Sequence, residues 1–290
     1  MPSVTFGNTT FNQEQHILAS EEGIRRRPAL TVDENQVQLG VSGNKIVRPG
    51  SILYKDGNNN GRLNVRTKTG AAVTAAFTTF IDIAPFTGQY DSEMVQFLDD
   101  GDVLQVLRPY SFITLADTWD ADDTAALVID GQSVTYTPGS ADLNTAASNL
   151  AVAINADFYH SKLVEAVTEG SIVYIFSRSR RTYSLAVTAT TTGDGTATAN
   201  DATLVGGVEV GTIDAGGVNV SLGTVTLAAA AAVSLPSGAP IGVSGWVPYS
   251  VVKDSFNLAE GETDISGLLA ALIYGERLPY WDEDIASELP

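Results

Sequence analysis

Leu98-Asp99-Asp100-Gly101-Asp102-Val103-Leu104-Gln105-Val106 and Leu235-Pro236-Ser237-Gly238-Ala239-Pro240-Ile241-Gly242-Val243 share one pattern, although they lie far apart in the chain. In each stretch a leucine is followed three residues later by a glycine, and then by two aliphatic residues at alternate positions. Each also leads into a Pro-Tyr-Ser sequence, at residues 109–111 and 248–250. Alternating aliphatic residues are typical of a half-buried strand, and a glycine placed just before them is typical of a turn. The repetition therefore predicts related turn-and-strand units on both sides of the intervening chain.

The chain between these two units has a different pattern. Residues 127–136, Leu-Val-Ile-Asp-Gly-Gln-Ser-Val-Thr-Tyr, predict a β-hairpin that turns at Asp130-Gly131. Residues 140–158 predict an amphipathic helix with Ser140 as its N-cap, because apolar residues recur at spacings of three and four. The apolar stripe of this helix consists of Leu143, Ala147, Leu150, Ile154 and Phe158.

These patterns predict a mainly β fold with a minor α component. A β-barrel or β-sandwich-like domain would be interrupted by an inserted α+β domain. The predicted boundaries are residues 31–114 and 206–275 for the discontinuous β-rich domain, and residues 115–205 for the inserted domain.

Both ends of the chain are predicted to extend beyond the β-rich domain. Residues 1–30 are interpreted as an extended N-terminal arm, because Ser20-Glu21-Glu22-Gly23 should interrupt local structure and three arginines then precede a proline. Residues 276–290 are an acidic C-terminal tail with two large aromatic residues, although a tail folded back on its own domain is equally compatible with the sequence. The predicted partner-binding residues are Arg25, Arg26, Arg27, Tyr280 and Trp281.

Composition and charge exclude several classes of function. The chain has no cysteine, which excludes disulfides, thiolate catalysis and zinc–thiolate sites. The net charge is −18, but residues 1–70 hold nine Lys/Arg against six Asp/Glu, whereas residues 71–290 hold seven against 28. Because so acidic a body repels phosphate backbones, we expect no nucleic-acid partner. We also expect no membrane role, since no run approaches the roughly 18 apolar residues of a membrane helix and the N-terminus does not resemble a signal peptide.

The residues that could carry catalysis do not form a recognisable arrangement. The two histidines, His16 and His160, fall in different predicted segments, and the Gly-x-Ser-x-Gly motif of serine hydrolases does not occur. The acidic pairs Asp99/Asp102 and Asp282/Asp284 carry little weight in a chain with 34 acidic residues. We therefore expect a protein that is not an enzyme, with no catalytic residues and no cofactor.

Two acidic segments have some of the oxygen ligands of a calcium site. Residues 56–61, Asp-Gly-Asn-Asn-Asn-Gly, match the first half of a calcium loop, but Thr67 stands where the bidentate glutamate is required. A hairpin turn is the favoured interpretation. Asp117, Asp120, Asp122 and Asp123 surround Trp119, and a solvated linker is favoured there over a calcium site. We expect no metal site.

The basic cluster of Arg178, Arg180 and Arg181 is interpreted as a solvated turn that balances nearby acids, with a receptor, glycan or nucleic-acid contact as the alternative.

Three stretches carry a family resemblance. They are the opening Gly23-Ile24-Arg25-Arg26-Arg27-Pro28, the module of residues 127–198 with its helix end Ala153-Ile154-Asn155-Ala156, and the closing Leu269-Ala270-Ala271-Leu272-Ile273-Tyr274-Gly275-Glu276-Arg277-Leu278. In these stretches the chain resembles virion structural proteins of tailed bacteriophages, most closely the head decoration, or capsid cement, proteins. The inserted module departs from the small single-domain members of that group.

The resemblance implies a function. A protein of this kind would bind the outer surface of the capsid head where coat subunits meet, and would stabilise the shell against internal pressure. Its partner would be the major capsid protein, and it would form a homo-oligomer, a dimer or trimer, on the capsid lattice. Modest contacts repeated at every lattice position would add up to a stable layer.

Two other functions stay open at the level of sequence. One is an adhesion or carbohydrate-binding module of a tail fibre or baseplate, and the other is a tail-tube protein. A glycan binder should present several aromatic side chains on one exposed groove, whereas a cement protein should bury most of them. The side chains that decide this are Trp119, Tyr136, Tyr159, Tyr174, Tyr183 and Trp246.

Overall fold

The computed structural model describes residues 51–84, 95–190 and 194–252, together with the short segments 5–6, 9–10, 18–26, 30–32, 35, 37, 45–47, 256–258, 264–265 and 267–273. The strands in chain order are β1 (Thr5–Phe6), β2 (Thr9–Thr10), β3 (Leu18–Arg26), β4 (Leu30–Thr31), β5 (Ile46–Val47), β6 (Ile52–Lys55), β7 (Gly61–Leu63), β8 (Arg66–Thr69), β9 (Phe80–Ala84), β10 (Val103–Val106), β11 (Tyr110–Ala116), β12 (Thr124–Ile129), β13 (Gln132–Tyr136), β14 (Val164–Glu169), β15 (Ile172–Ser177), β16 (Leu185–Thr190), β17 (Thr196–Ala199), β18 (Glu209–Asn219), β19 (Thr224–Leu227), β20 (Pro240–Val243), β21 (Val247–Val252), β22 (Phe256–Asn257), β23 (Asp264–Ile265) and β24 (Gly267–Ile273). The helices are α1 (Leu143–Ala156) and α2 (His160–Leu163). The predicted mainly β fold with a minor α component is confirmed.

A closed six-stranded barrel contains both copies of the repeated sequence pattern. Its strand order is β10-β18-β19-β9-β8-β20, so that β10 and β20, which come from the two copies, lie side by side as an antiparallel pair. The turn glycines Gly101 and Gly238 have φ angles of +83° and +80°, a conformation in which any other residue would be strained. The alternate aliphatic residues of both strands are buried in the barrel core. The repeated pattern therefore corresponds to two equivalent turn-and-strand units that pair with each other.

A second sheet, ordered β3-β24-β21-β6-β7, adjoins the barrel. Asn64 separates β7 of this sheet from β8 of the barrel. Asn64 has a φ of +45°, and its Oδ1 accepts a hydrogen bond of 2.8 Å from the backbone N–H of Ile52. The asparagine thus holds the corner at which the chain passes from one sheet to the other.

The helix α1 packs on a four-stranded sheet ordered β14-β15-β11-β17, which lies beside the three-stranded sheet β13-β12-β16. The predicted stripe is correct for Ala147, Leu150 and Ile154, which are fully buried. The predicted N-cap and helix end are wrong. Asp142 is the N-cap, because its Oδ1 accepts the backbone N–H of Thr145 at 2.8 Å, and the helix stops before Phe158 can reach the core.

The four-stranded sheet joins the two hydrophobic cores of the molecule. Along β11 and β15 one face contributes Ile113, Val173 and Ile175 to the core beneath α1. The opposite face contributes Tyr110, Tyr174 and Phe176, which pack into the core of the barrel. A sheet covered on both faces has few polar residues, which explains the nearly continuous apolar sequence of β15.

Segments near both ends of the chain form strands of the second sheet. Residues 20–23 were expected to interrupt local structure, but they lie within β3, which pairs with β24. The apolar segment after residue 266 forms β24, a strand of the second sheet. The domain boundaries, the arm and the tail as units stay predictions. In the part of the chain that the structure describes, no helix is long and apolar enough to span a membrane.

Candidate interaction surface

The most exposed large apolar side chain among the described residues belongs to a tight turn on the barrel, residues 74–80, which we call the Phe77 turn. Phe77 is 82% exposed, and Phe80 at the end of the turn is 48% exposed. Side chains of this kind are scattered singly on most surfaces, but here two exposed phenylalanines lie three residues apart on one stretch of surface. Such a surface is a candidate for contact with another protein.

Hydrogen bonds on both sides hold the Phe77 turn in place. Within the turn, the backbone N–H of Thr74 donates to the Thr78 hydroxyl at 2.9 Å. Across to the neighbouring segment, the Ala76 N–H donates to the carbonyl of Ala231 at 2.9 Å, and the Ala231 N–H donates back to the carbonyl of Thr78 at 2.7 Å. Because the backbone is fixed at these points, Phe77 is presented outward at little further entropic cost.

The backbone of the turn is also strained. Ala76 has a φ of +61°, in the left-handed region that alanine rarely occupies. A single residue in this region costs about 1–2 kcal/mol, so the surrounding hydrogen bonds must impose it. The strain falls directly before the exposed phenylalanine.

The Asp56 segment is a hairpin turn, as favoured from the sequence. The Asp56 carboxylate accepts the backbone N–H groups of Asn58 and Asn60, each at 2.8 Å, and the side-chain amide of Asn60. Desolvation acts to raise the pKa of this carboxyl group, but the hydrogen bonds from Asn60 and Asn58 outweigh it and lower the pKa. Asn59 supplies the positive φ that the turn requires.

The acidic segment around Trp119 is not the solvated linker that the sequence favoured. Trp119 is fully buried in the core beneath α1, and its indole N–H donates to the carbonyl of Ala116 at 3.2 Å. Asp123 is also buried, and its carboxylate accepts the backbone N–H of Asp120 at 2.7 Å. Asp117, Asp120 and Asp122 are exposed. Within the described residues, no group of three or more His, Cys, Asp or Glu side chains is arranged to hold a metal ion.

The two acidic residues Asp99 and Asp102 have structural contacts. Asp102 forms a two-pronged ion pair with the buried Arg62, at 2.6 Å and 2.5 Å, and it also accepts the backbone N–H of Asp99. The Arg62 guanidinium also donates to the carbonyl of Phe97. This contact joins β7 of the second sheet to the turn that precedes β10 of the barrel.

His160 likewise has a structural environment. It is fully buried at the start of α2, with Nδ1 2.7 Å from the Tyr136 hydroxyl and Nε2 3.0 Å from the carbonyl of Gln132. Burial, followed by the charge of Asp157, raises the pKa of Tyr136. Because a carbonyl oxygen can only accept, Nε2 donates to the Gln132 carbonyl. The histidine ties the helix pair to the β12–β13 hairpin.

Two of the five predicted partner-binding residues lie in the part of the chain that the structure describes. Arg25 and Arg26 are the last residues of β3, at one edge of the second sheet, while Arg27, Tyr280, Trp281, Asp282, Asp284 and His16 lie outside the described residues. The arginine cluster lies in and next to the turn after β15, where Arg181 approaches Asp130 at 3.8 Å with both side chains exposed. That agrees with the favoured interpretation of a turn that balances nearby acids.

The sequence did not reveal the Phe77 turn. The strand β9 begins at Phe80, and Phe77 lies in the turn before it. Two phenylalanines beside aliphatic residues suggest burial by composition. Only the tertiary hydrogen bonds to residues 231–234 show that the segment turns outward.

Comparisons with known proteins add little. No family model matches the chain, and no curated protein matches it. Among solved structures, a chain from Mycobacterium phage Patience is similar at 12% sequence identity, over 72% of this chain and 92% of that chain, with a TM-score of 0.23. A TM-score this low carries no argument about fold or function. A phage protein is thus a weak structural neighbour, and the match says nothing about a place on the capsid.

Proposed function

We propose that this protein is a head decoration protein of a tailed bacteriophage that binds the outer capsid shell at coat-subunit junctions and stabilises it against internal pressure. The proposed location on the phage capsid rests on the resemblance of the sequence to head decoration proteins. The Phe77 turn is the structural observation that supports binding to a protein surface. In this proposal the partner is the major capsid protein, and the protein acts without catalysis, as a dimer or trimer on the lattice.

The geometry of the Phe77 turn suits a contact that is weak singly and strong when repeated. Burying one phenylalanine side chain contributes about 1.5–3 kcal/mol, well short of a stable complex by itself. Because the turn is already fixed by hydrogen bonds to Ala231, little additional order is lost on binding. Copies joined as an oligomer would bind through several such turns at once, which raises the overall affinity without new kinds of contact.

The burial of the aromatic side chains weighs against the carbohydrate-binding alternative. Trp119, Tyr136, Tyr174 and Tyr183 are buried in the two cores, and Trp246 is partly buried against the barrel core. Of the six aromatic residues that could have formed a glycan groove, Tyr159 alone is exposed, at 56%. Tyr159 lies edge-on against the exposed Phe158, 5.3 Å between ring centres, so the six residues do not form the groove of several exposed rings expected of a glycan binder.

The proposal is tested by binding to empty capsids assembled from the coat protein of the same phage genome. The variant Phe77→Ser should bind at least about tenfold more weakly, the loss expected for a buried interface aromatic. Its unfolding free energy should change by less than about 0.5 kcal/mol, because the side chain is exposed. Cosedimentation measures the binding, and chemical denaturation measures the stability.

Phe158→Ser is the matched control, since Phe158 is 67% exposed but follows α1, away from the barrel. This variant should bind capsids like the unchanged protein. The proposal fails if the unchanged protein does not bind empty capsids and capsids lacking it resist heat and chelator equally well. If it binds but the two variants bind equally, the Phe77 turn is not the contact.

A further inference from the structure

A basic cleft lies where the barrel meets the four-stranded sheet, in a chain whose net charge is −18. Its volume is about 250 Å³. The charged side chains that line it are Lys68 of β8, Arg108 between β10 and β11, Glu165 of β14 and Arg178 after β15. The charged side chains that line the cleft are thus three cations and one carboxylate, whereas acidic residues outnumber basic ones in the chain as a whole.

The two arginines are held toward the cleft by backbone carbonyls. Arg108 donates from Nε to the carbonyl of Ser177 at 2.7 Å and from a terminal nitrogen to Glu165 at 2.8 Å. Arg178 donates from Nε to the carbonyl of Val164 at 3.1 Å, although its side chain is exposed. The Arg108 guanidinium also lies over the ring of Phe176, 5.9 Å from its centre. Positioned guanidinium groups of this kind match the geometry of a carboxylate.

We propose that the cleft binds an acidic polypeptide segment of a partner protein, with carboxylate side chains placed among Lys68, Arg108 and Arg178. Charge complementarity carries the choice of partner. A long nucleic acid would have to lie against more of a protein whose net charge is −18, whereas a short acidic segment needs only the cleft. Glu165 already shows how a carboxylate pairs with Arg108 there.

The inference does not depend on the capsid role, because the cleft and the Phe77 turn do not share a residue. A failure of one experiment therefore leaves the other intact. The two sites would contact different surfaces of a partner or different partners.

The test uses the full chain and a fluorescently labelled hexaglutamate peptide, with binding followed by anisotropy. Lys68→Glu and Arg178→Glu should each weaken binding by at least about fivefold, since each replaces an attraction with a repulsion. Arg180→Glu is the matched control, because Arg180 is exposed on the same turn and does not line the cleft. It should leave the affinity nearly unchanged.

A fourth variant should act in the opposite direction. Glu165→Gln keeps a hydrogen-bond acceptor for Arg108 but removes the negative charge, and it should tighten hexaglutamate binding. Thermal melting of each variant separates a loss of binding from a loss of folding. Equal binding by the three charge-reversal variants would overturn the proposal. Binding of inorganic phosphate without binding of hexaglutamate would overturn the choice of a polypeptide partner.

Discussion

Two turns of this protein each contain a residue with the same positive φ, but one turn buries the aromatic side chain that follows and the other exposes it. In the Trp119 turn, residues 117–123, Asp117 has a φ of +61° and the aromatic side chain two residues later is fully buried. In the Phe77 turn, Ala76 has the same φ of +61° and the aromatic side chain that follows is 82% exposed. Backbone strain is therefore not by itself a mark of function, and the direction of the neighbouring side chain distinguishes packing from presentation.

The residues in the strained positions differ in a way that supports this distinction. Aspartate tolerates the left-handed conformation better than most residues, and the Asp117 carboxylate accepts a hydrogen bond from the hydroxyl of Thr196 in β17. Alanine has no such compensation. The strain in the Phe77 turn must therefore be offset by the hydrogen bonds to Ala231 and Ser234.

The largest expected effect is that of Trp119→Ala. Removing a fully buried tryptophan should lower the unfolding free energy by about 3–5 kcal/mol, because a cavity remains in the core beneath α1. Phe77→Ala should change it by no more than about 0.5 kcal/mol. Urea denaturation of both variants measures the difference, and similar losses would break the comparison of the two turns.

The next effect concerns the carboxylate that closes the Trp119 turn. Asp123→Ala removes the acceptor for the Asp120 N–H and should cost about 1–3 kcal/mol, since Asp123 is fully buried. Asp122→Ala is the control, because Asp122 is an exposed neighbour in the same turn. A cost at Asp123 no larger than that at Asp122 would show that the turn is held by the tryptophan alone.

A smaller effect, of opposite sign, is expected from Ala76→Gly. Glycine adopts a φ of +61° without strain, and relief of the strain should raise the free energy of unfolding by about 1–2 kcal/mol. The greater freedom of glycine in the unfolded chain should lower it by about 0.4–1 kcal/mol. The net result should be a stabilisation of between about 0 and 1.6 kcal/mol. Ala75→Gly, one residue earlier and without a positive φ, should instead destabilise the protein. Destabilisation by both changes would mean that the turn is not strained.

The sequence predicted the elements whose pattern is local. The two copies of the Leu-x-x-Gly pattern led to the paired barrel strands β10 and β20, and the spacing of apolar residues led to α1. In each case the turn residue or the periodicity acts within a few residues, so one segment contains the whole signal.

Features that depend on distant partners could not be read in this way. Asn64 ends β7 because its side chain binds the backbone of Ile52, and the exposure of Phe77 depends on hydrogen bonds to Ala231. The 11-residue strand β18 was missed, because its glycines do not give a strand pattern. The basic cleft was missed because its cations are far apart in the sequence and meet only where the barrel adjoins the four-stranded sheet.

The smallest expected effect belongs to a third turn, the hairpin of residues 56–61. This turn is held by the carboxylate of Asp56 and not by a buried side chain. Its hydrogen bonds from Asn60 and Asn58 outweigh desolvation, so an NMR titration should place the pKa of Asp56 below its usual value of 3.8. The pKa of this carboxyl group is lower in the folded state than in the unfolded state. Its contribution to the free energy of unfolding is therefore fully present at a pH above the unfolded-state pKa, and it is lost as the pH falls through the folded-state pKa. The amide shifts of Asn58 and Asn60 should follow the same titration, and Asp56→Asn should abolish that step. A pKa at or above 3.8 would mean that the turn is held by its backbone conformation, including the positive φ of Asn59, and not by the carboxylate.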